Sequence, residues 1–233
     1  MRLRVRFAKL GRVRWTSHRD VARMWERALR RGGLPVAYTE GFSPRPQLSF
    51  GLALPTGCES TAEYLDVSLR DDVDPGTFAG LLSPLLPEGV DVRAAAVLAP
   101  GTPSLQEVVD GCAWDVDVPD VDVDVLAAAV ARALASPSLP VERERKGRRQ
   151  VDDVRSALLA LEAHPAAHGR GSRLVAEVST RPRGVRPAEL AAALGLELGA
   201  ARRTCQWIER DGARLEPLEV PDEPLAPALG RAS

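Results

Sequence analysis

Residues 3–33 read LRVRFAKLGRVRWTSHRDVARMWERALRRGG, and they predict a strand that leads into a helix. In residues 3–9, apolar residues alternate with arginines, which is the two-residue period of a strand buried on one face. Gly11 interrupts the strand, and the RVRW that follows either extends it or pairs with it as a hairpin. Ser17 and Asp20 form a capping box with Asp in place of the usual Glu, and a pair of glycines ends the helix after an apolar stripe.

The remainder of the chain repeats this alternation of strands and helices. The patterns predict strands at 34–38, 48–54, 63–69, 90–98, 113–118, 140–145, 173–179 and 201–210, and helices at 75–86, 123–135 and 186–194. Apart from the short strand at 34–38, each half runs strand, helix, strand, strand, helix, strand, which is the order of a split βαβ unit. We expect an α+β fold of two tandem ferredoxin-like units with mostly antiparallel sheets, in residues 1–100 and 104–216. Residues 217–233 hold four prolines and no apolar period, which predicts a disordered tail.

The composition is that of a globular protein, with 45% hydrophobic and 27% charged residues. The three cysteines are far apart and odd in number, which favours a reducing compartment over a disulfide framework. No apolar run is long enough for a transmembrane helix, and the N-terminus lacks the apolar stretch of a signal peptide. These features predict a cytoplasmic protein that does not bind membranes.

The net charge of −1 conceals a strong asymmetry along the chain. Residues 1–50 hold 12 Lys+Arg against 3 Asp+Glu, whereas residues 51–130 hold 2 against 15. Residues 131–233 are nearly balanced, with 17 against 14. A basic N-terminal segment beside an acidic middle is typical of a protein with an anion-binding face.

The predicted helix after Ser17 carries a second stripe, made of arginines. Arg19, Arg23, Arg27 and Arg30 are spaced i, i+4, i+8 and i+11, so they share one face. Like charges four residues apart destabilise a helix by about 0.2–0.5 kcal/mol per pair, and a helix that tolerates this often has an anionic partner. The alternative to an anionic partner is that the arginines form an ordinary charged surface, in contact with water only.

The surroundings of this stripe favour a grip on a nucleic-acid backbone. Arg4 and Arg6 are expected to point off the outer face of the first strand, and aromatic side chains such as Trp15 can stack on bases. The predicted nucleic-acid-binding residues are Arg4, Arg6, Arg12, Arg14, Arg19, Arg23, Arg27, Arg30, Arg31, Arg45, Tyr38 and Phe42.

The loop GFSPRPQ at 41–47 is a second candidate. Gly41 permits unusual backbone angles, and two prolines stiffen the loop so that it holds Arg45 outward. A rigid loop with one arginine suits phosphate or base recognition, but the same sequence also suits a plain connection between strands.

Two other stretches contain candidate binding residues. The basic run ERERKGRRQVDD at 142–153 predicts either a hairpin tip that touches nucleic acid or an exposed turn. His164 and His168 are four residues apart, but neighbouring Pro165 and Gly169 argue against a helical pair of metal ligands. We expect no metal site.

His18 stands at the start of the predicted helix, where the helix dipole favours the neutral imidazole. A neutral histidine in a basic cleft can act as the base in RNA cleavage, and Arg19 or Arg45 would then stabilise the phosphate. No general acid is identifiable beside it, so we predict that His18 orders the helix start and that catalysis is the lesser alternative.

The familiar cofactor motifs are absent from the sequence. There is no phosphate-binding GxxxxGK[ST] loop, no GxGxxG, no serine nucleophile elbow and no cysteine triplet for an iron–sulfur cluster. We therefore expect no cofactor in this chain.

The stretch at 4–69 closely resembles the opening of the bacterial radical-SAM-linked protein family, a domain of unknown function. The resemblance is carried by Ser17-His18-x-Asp20, the Arg30–Arg31 pair, GFSPxP at 41–46 and Glu63–Tyr64, and it continues more weakly through most of the chain. Many family members have Leu after the motif histidine and often His between the loop prolines, where this sequence has Arg19 and Arg45.

The resemblance implies a radical SAM protein as the partner, encoded beside or fused to family members. That partner would hold the iron–sulfur cluster and S-adenosylmethionine. Our leading hypothesis is a non-catalytic accessory protein that binds transfer or ribosomal RNA for a radical SAM enzyme in RNA modification or processing. The alternatives are a protein–protein adaptor that binds no RNA, and a metal-independent endoribonuclease that uses His18.

Overall fold

The structure is a computed structural model that describes residues 1–145, 147–167 and 169–219. Over these residues the chain forms a mixed α and β fold with a mostly antiparallel sheet. The strands are β1 (Arg2–Lys9), β2 (Leu48–Phe50), β3 (Glu59–Ser68), β4 (Val90–Leu98), β5 (Gly111–Val118), β6 (Pro140–Arg145), β7 (Arg148–Asp153), β8 (Leu158–Pro165), β9 (Ser172–Ser179), β10 (Ala201–Arg210) and β11 (Ala213–Leu215). The helices are α1 (His18–Arg31), α2 (Pro75–Leu82), α3 (Leu105–Val108), α4 (Val123–Ala135) and α5 (Pro187–Leu194). No described helix is long and apolar enough to cross a membrane.

One sheet passes through both halves of the chain. Its strand order is β4-β1-β3-β10-β5-β9-β8, while β2 pairs with β3 and β11 pairs with β10. The edge of β3 that faces away from β1 is shared: β2 pairs with its last part, and β10 pairs with Glu59 and Ser60. The order β4-β1-β3-β2 in the first half thus corresponds to β10-β5-β9-β8 in the second.

Each half has its own apolar core. In the first half, α1 and α2 cover one face of the sheet, and Phe7 contacts Trp25 edge-on with 5.0 Å between the ring centroids. In the second half, α4 and α5 pack on β5, β8 and β9. A third, smaller cluster joins Tyr64 and Ile208 to residues of α3. That cluster lies on the face of the sheet to which the polar positions of β1 point.

Several predicted elements differ in the structure. Residues 34–38 form only isolated bridges, and the strand predicted at 48–54 stops at Phe50, because β10 takes the next part of the β3 edge. Residues 11–15 form a 3-10 turn and not a strand, and the helix predicted at 75–86 ends at Leu82, followed by a 3-10 turn that contains Pro84.

A hairpin was one of the two alternatives for the run at 142–153, but no strand was predicted in the stretch between 146 and 172. It contains β7 and β8; β6 and β7 form a separate two-stranded sheet, and β8 takes the edge position beside β9. The short α3 and β11 were also missed. Residues 217–219 of the predicted tail are described and pack against the sheet, whereas the rest of that tail lies outside the described residues.

Candidate functional site

The arginine face of α1 is held by a buried apolar stripe on the other side of the helix. Val21, Trp25, Ala28 and Leu29 are buried against the first core. At the start of the helix, the Ser17 side chain accepts a hydrogen bond from the backbone N–H of Asp20 at 3.2 Å, and its hydroxyl donates to the Asp20 carboxylate at 2.7 Å. The hydrogen bond from Ser17, and then the charge of Arg23, lower the pKa of Asp20. The predicted N-cap and apolar stripe are confirmed, whereas the Asp20 carboxylate accepts from the Ser17 hydroxyl and not from its backbone N–H, as a full capping box requires.

The arginines on the outer face of this helix are exposed. They are Arg19, Arg23, Arg27, Arg30 and Arg31. Arg23 lies 3.4 Å from the Asp20 carboxylate, and the other four form no ion pair with any residue that the structure describes. Four unpaired guanidinium groups on one helix leave strong positive charge at this surface.

The expectation that Arg4 points off an outer face is wrong. Its side chain is 0% exposed and forms a bidentate pair with Asp66 at 2.7 and 2.9 Å. It also donates to the backbone oxygen of Pro217 at 3.1 Å. The polar side of β1 is buried because the segments around α3 and Pro217 cover it, so Arg4 cannot reach a nucleic acid.

Arg6 is partly exposed on the same side of β1. It donates to the Glu216 carboxylate at 2.9 Å, and the Tyr64 hydroxyl donates to the same oxygen at 2.9 Å. Burial, followed by the charge of Glu216, raises the pKa of Tyr64. Arg6 is therefore paired with a carboxylate of the protein itself and only partly exposed, whereas the arginines of α1 are exposed.

The 3-10 turn at 11–15 lies beside α1 and presents one arginine and one aromatic ring to solvent. Arg12 and Trp15 are exposed, and the guanidinium of Arg14 lies 5.3 Å from the Trp15 ring centroid, within cation–π range. The buried amino group of Lys9 donates to the backbone oxygens of Arg14 and Thr16, at 3.3 and 3.1 Å. Burial lowers the pKa of this lysine.

The loop at 41–47 is closed at its base and exposed at its tip. The backbone N–H of Thr39 donates to the oxygen of Arg45 at 2.9 Å, and the N–H of Arg45 donates to the Thr39 hydroxyl at 3.0 Å. Gly41 has φ of 120°, which favours glycine, and Phe42 beside it is fully exposed. Tyr38 and Arg45 are also exposed, as predicted.

His18 is exposed at the first residue of α1. Its ring lies edge-on to Phe50, with 5.1 Å between centroids. His18 borders a cleft of about 20 Å³, room for about one water molecule. The imidazole thus has Phe50 on one side and solvent on the other.

A buried ion pair lies where the two halves of the sheet meet. Arg203 of β10 is 2% exposed and holds Glu63 of β3 through contacts of 2.7 to 3.0 Å. It also donates to the backbone oxygen of Leu52 at 2.7 Å, and its guanidinium lies 5.5 Å from the Trp114 ring centroid. This pair ties β10 to β3 and to the segment after β2.

Beside this pair opens a cavity of about 430 Å³, which sequence reasoning missed. Its walls come from the segment after β2, from β5, β6 and β10, and from the loop that leads into α5. The arginines among its lining residues are Arg143, Arg183, Arg186 and Arg203. Only Arg143 belongs to a stretch that the sequence singled out, the run at 142–153.

The family of the chain follows from a match over residues 2–187 to DUF2344, described as an uncharacterized protein conserved in bacteria. The chain belongs to this family. No curated protein matches the chain. The DUF2344 match includes α1, the 41–47 loop and three of the four cavity arginines, and it stops before Arg203 of β10.

Of the two histidines that are candidate metal ligands in this DUF2344 protein, the structure describes only His164. His164 lies 3.2 Å from the Glu162 carboxylate in an exposed part of β8, and His168 lies outside the described residues. Across residues 1–145, 147–167 and 169–219, no group of three or more His, Cys, Asp or Glu side chains could hold a metal ion.

Two of the four cavity arginines, Arg183 and Arg186, could have been found from one sequence signal. Arg181, Arg183 and Arg186 occur in TRPRGVRP (180–187), a loop sequence in which prolines and a glycine separate three arginines. The same reasoning that singled out the 41–47 loop applies to it. Arg203 could not have been found this way, because its strand pattern resembles that of any other half-buried strand.

Proposed function

We propose that this protein is a non-catalytic RNA-binding accessory of a radical SAM enzyme that modifies or processes RNA. The observation that carries the RNA part is the exposed outer face of α1, with Arg19, Arg27, Arg30 and Arg31 free of ion pairs within the described residues. The resemblance of Ser17-His18-x-Asp20 and of the 41–47 loop to radical-SAM-linked proteins supports the choice of partner.

The site combines the two features of single-stranded RNA binding, which are basic side chains for the phosphates and exposed aromatic rings for the bases. The arginines of α1 provide charge that can neutralise backbone phosphates, and this releases counterions. Trp15, Tyr38 and Phe42 are exposed rings on segments next to α1 in sequence, and such rings can stack on unpaired bases. Arg12 and Arg45 are exposed at the same segments.

We infer that each half is a ferredoxin-like unit, one in residues 1–100 and the other in residues 104–216. The equivalent strand orders of the two halves support this, since a βαββαβ unit with that order is antiparallel throughout. The β6–β7 hairpin would be an insertion in the second unit.

Titration with transfer and ribosomal RNA tests the proposal. We expect binding that weakens with salt, with a log–log slope that falls by about 0.7–0.9 for each phosphate contact removed. Replacing Arg19, Arg23 and Arg27 by Glu should abolish binding at physiological salt. The matched control reverses the exposed Arg93, Arg132 and Arg170, which gives the same change in net charge away from α1.

The control variant should retain affinity within about twofold, because it removes only long-range charge, which salt screens. Equal loss in both variants would show that net charge, and not the α1 face, governs binding, and would contradict the proposal.

The fully exposed Phe42 also favours a second candidate, a protein adaptor that binds no RNA. In that case a complex with the radical SAM partner would persist in nuclease-treated lysate, and neither component nor the complex would bind RNA. Loss of the complex on RNase treatment would count against the adaptor.

A further inference from the structure

The cavity beside the Arg203–Glu63 pair has the size of a small-molecule site. Its volume of about 430 Å³ falls within the ~300–1,000 Å³ of typical ligand pockets. One wall is apolar and comes from Leu52, Ala53, Pro55 and Val185. Four guanidinium groups also line the cavity, so a ligand there would have a flat or apolar body and an anionic end.

The arginines of the cavity outnumber the carboxylates that pair with them. Arg143 and Arg183 share one carboxylate, that of Asp152, and Arg183 also contacts both oxygens of Glu189 at 2.9 Å. Arg186 forms no ion pair with any described residue. Three arginines thus face two carboxylates, and one positive charge is left for a ligand. Arg203 adds none, because Glu63 neutralises it.

Some buried donor atoms of the residues that line the cavity have no oxygen or nitrogen acceptor among the described residues. The indole of Trp114 is 3% exposed, and its Nε1–H meets no oxygen or nitrogen acceptor in the described part of the chain. Nη2 of Arg183 is likewise buried without an acceptor among those residues. An unpaired buried donor is costly, but both atoms have almost no accessible surface, so a ligand oxygen can meet them only if the side chains of the lining shift.

We propose that this cavity binds the phosphate monoester of a nucleotide, with the phosphate at Arg183 and Arg186 and the nucleoside against the apolar wall. Guanidinium groups bind phosphate through paired charge-assisted hydrogen bonds, which explains the choice of phosphate. The same chemistry occurs in a free mononucleotide and in the 5′-phosphorylated end of an RNA. The cavity is separate from α1, so this inference does not depend on the RNA grip proposed above.

Calorimetry on the full chain tests this site with AMP, adenosine, inorganic phosphate, and short oligoribonucleotides with a 5′-phosphate or a 5′-hydroxyl. We expect AMP to bind and to raise the melting temperature. Adenosine, which lacks the phosphate, should bind at least about tenfold more weakly. Preference for the 5′-phosphorylated over the 5′-hydroxyl oligonucleotide would identify RNA ends as the source, and binding of AMP alone would identify a free nucleotide.

Two variants probe the two walls. Arg186→Ala removes an exposed arginine that has no described ion pair, and it should weaken AMP about tenfold to a hundredfold. Ala53→Trp fills the cavity from an exposed position without changing a charge, and it should abolish binding. The matched control is Arg132→Ala on α4, which should bind AMP as the wild type does.

The proposal is overturned if AMP, phosphate and the 5′-phosphorylated oligonucleotide all fail to bind at millimolar concentration. It is also overturned if AMP binds equally well to Arg186→Ala and Ala53→Trp. The triple Glu variant of α1 should keep its affinity for AMP, and the cavity variants should keep α1-dependent RNA binding, so failure of one proposal leaves the other intact.

Discussion

Arg4 and Asp66 form an ion pair that water does not reach, whereas Arg6 and Glu216 form one that is about one-third exposed. The two arginines are two positions apart on β1 and point to the same face of the sheet. Breaking a buried pair leaves a bare charge in the interior, but breaking an exposed one leaves a charge that water solvates. The contrast allows a matched test.

Asp66→Asn should lower the free energy of unfolding by about 3–5 kcal/mol, since Arg4 would keep its charge without a carboxylate. Arg6→Met should lower it by only about 0–1 kcal/mol. Urea unfolding followed by tryptophan fluorescence measures both. Similar losses for the two variants would contradict the burial of Arg4.

Glu59 makes stability depend on acid pH. Burial raises the pKa of this carboxyl, but hydrogen bonds from Arg202 and from the backbone N–H of Gly11 outweigh burial and lower it below 4.5. The unfolded state therefore takes up the proton first, and the stabilisation present above pH 4.5 is lost as pH falls through the folded pKa. Glu59→Gln should have a lower free energy of unfolding than the wild type at neutral pH. This difference should disappear once the pH falls below the folded pKa of Glu59, because the carboxyl is then protonated in both states.

The helix α1 shows which elements a sequence alone can predict. Its N-cap, apolar stripe and terminal glycines all lie within residues 17–33. The start, the buried face and the end of the helix are therefore all specified by neighbouring residues, which a sequence pattern shows directly. By contrast β8 escaped prediction, because a shift in register between Leu158 and Ala160 interrupts its two-residue period. The exposure of Tyr38, Phe42 and Arg45 could also be predicted from their own loop.

His18 belongs to this helix start, and we expect it to act there structurally. His18→Ala should cost about 0.5–1 kcal/mol of stability, the scale of other helix-terminus interactions, while RNA affinity stays unchanged. The wild type incubated with structured RNA in EDTA should give no site-specific cut. A product with a 2′,3′-cyclic phosphate that disappears in His18→Ala would instead establish His18 as a general base.

At the scale of the whole molecule, a short contact joins the two halves. β3 and β10 pair in parallel through Glu59 with Arg202 and Ser60 with Arg203, and Arg203 anchors Glu63. A strand pattern does not reveal its neighbour across the sheet. The continuous sheet and the cavity beside it therefore could not be predicted. The burial of Arg4 was missed for another reason, because the segments that cover its face of the sheet are remote in sequence.

We expect the halves to unfold together. Trp25 lies in the first core and Trp114 in the second, so the fluorescence of each reports on the unfolding of its own half. Urea unfolding curves of a variant that lacks Trp25 and of one that lacks Trp114 can therefore be compared. Their transitions should coincide in the wild-type background, and Arg203→Met should separate them because Glu63 then loses its partner at the junction. Separate transitions before that substitution would show that each half is stable alone.

The bond from Arg4 to the carbonyl oxygen of Pro217 has a consequence for synthesis. The two residues are 213 positions apart, so the donor leaves the ribosome long before its acceptor is made. Domains at the N-terminal side of a chain begin to fold first during translation. Until Pro217 has been translated, the side of β1 that carries Arg4 is therefore open to water, and water molecules take the place of the carbonyl acceptor.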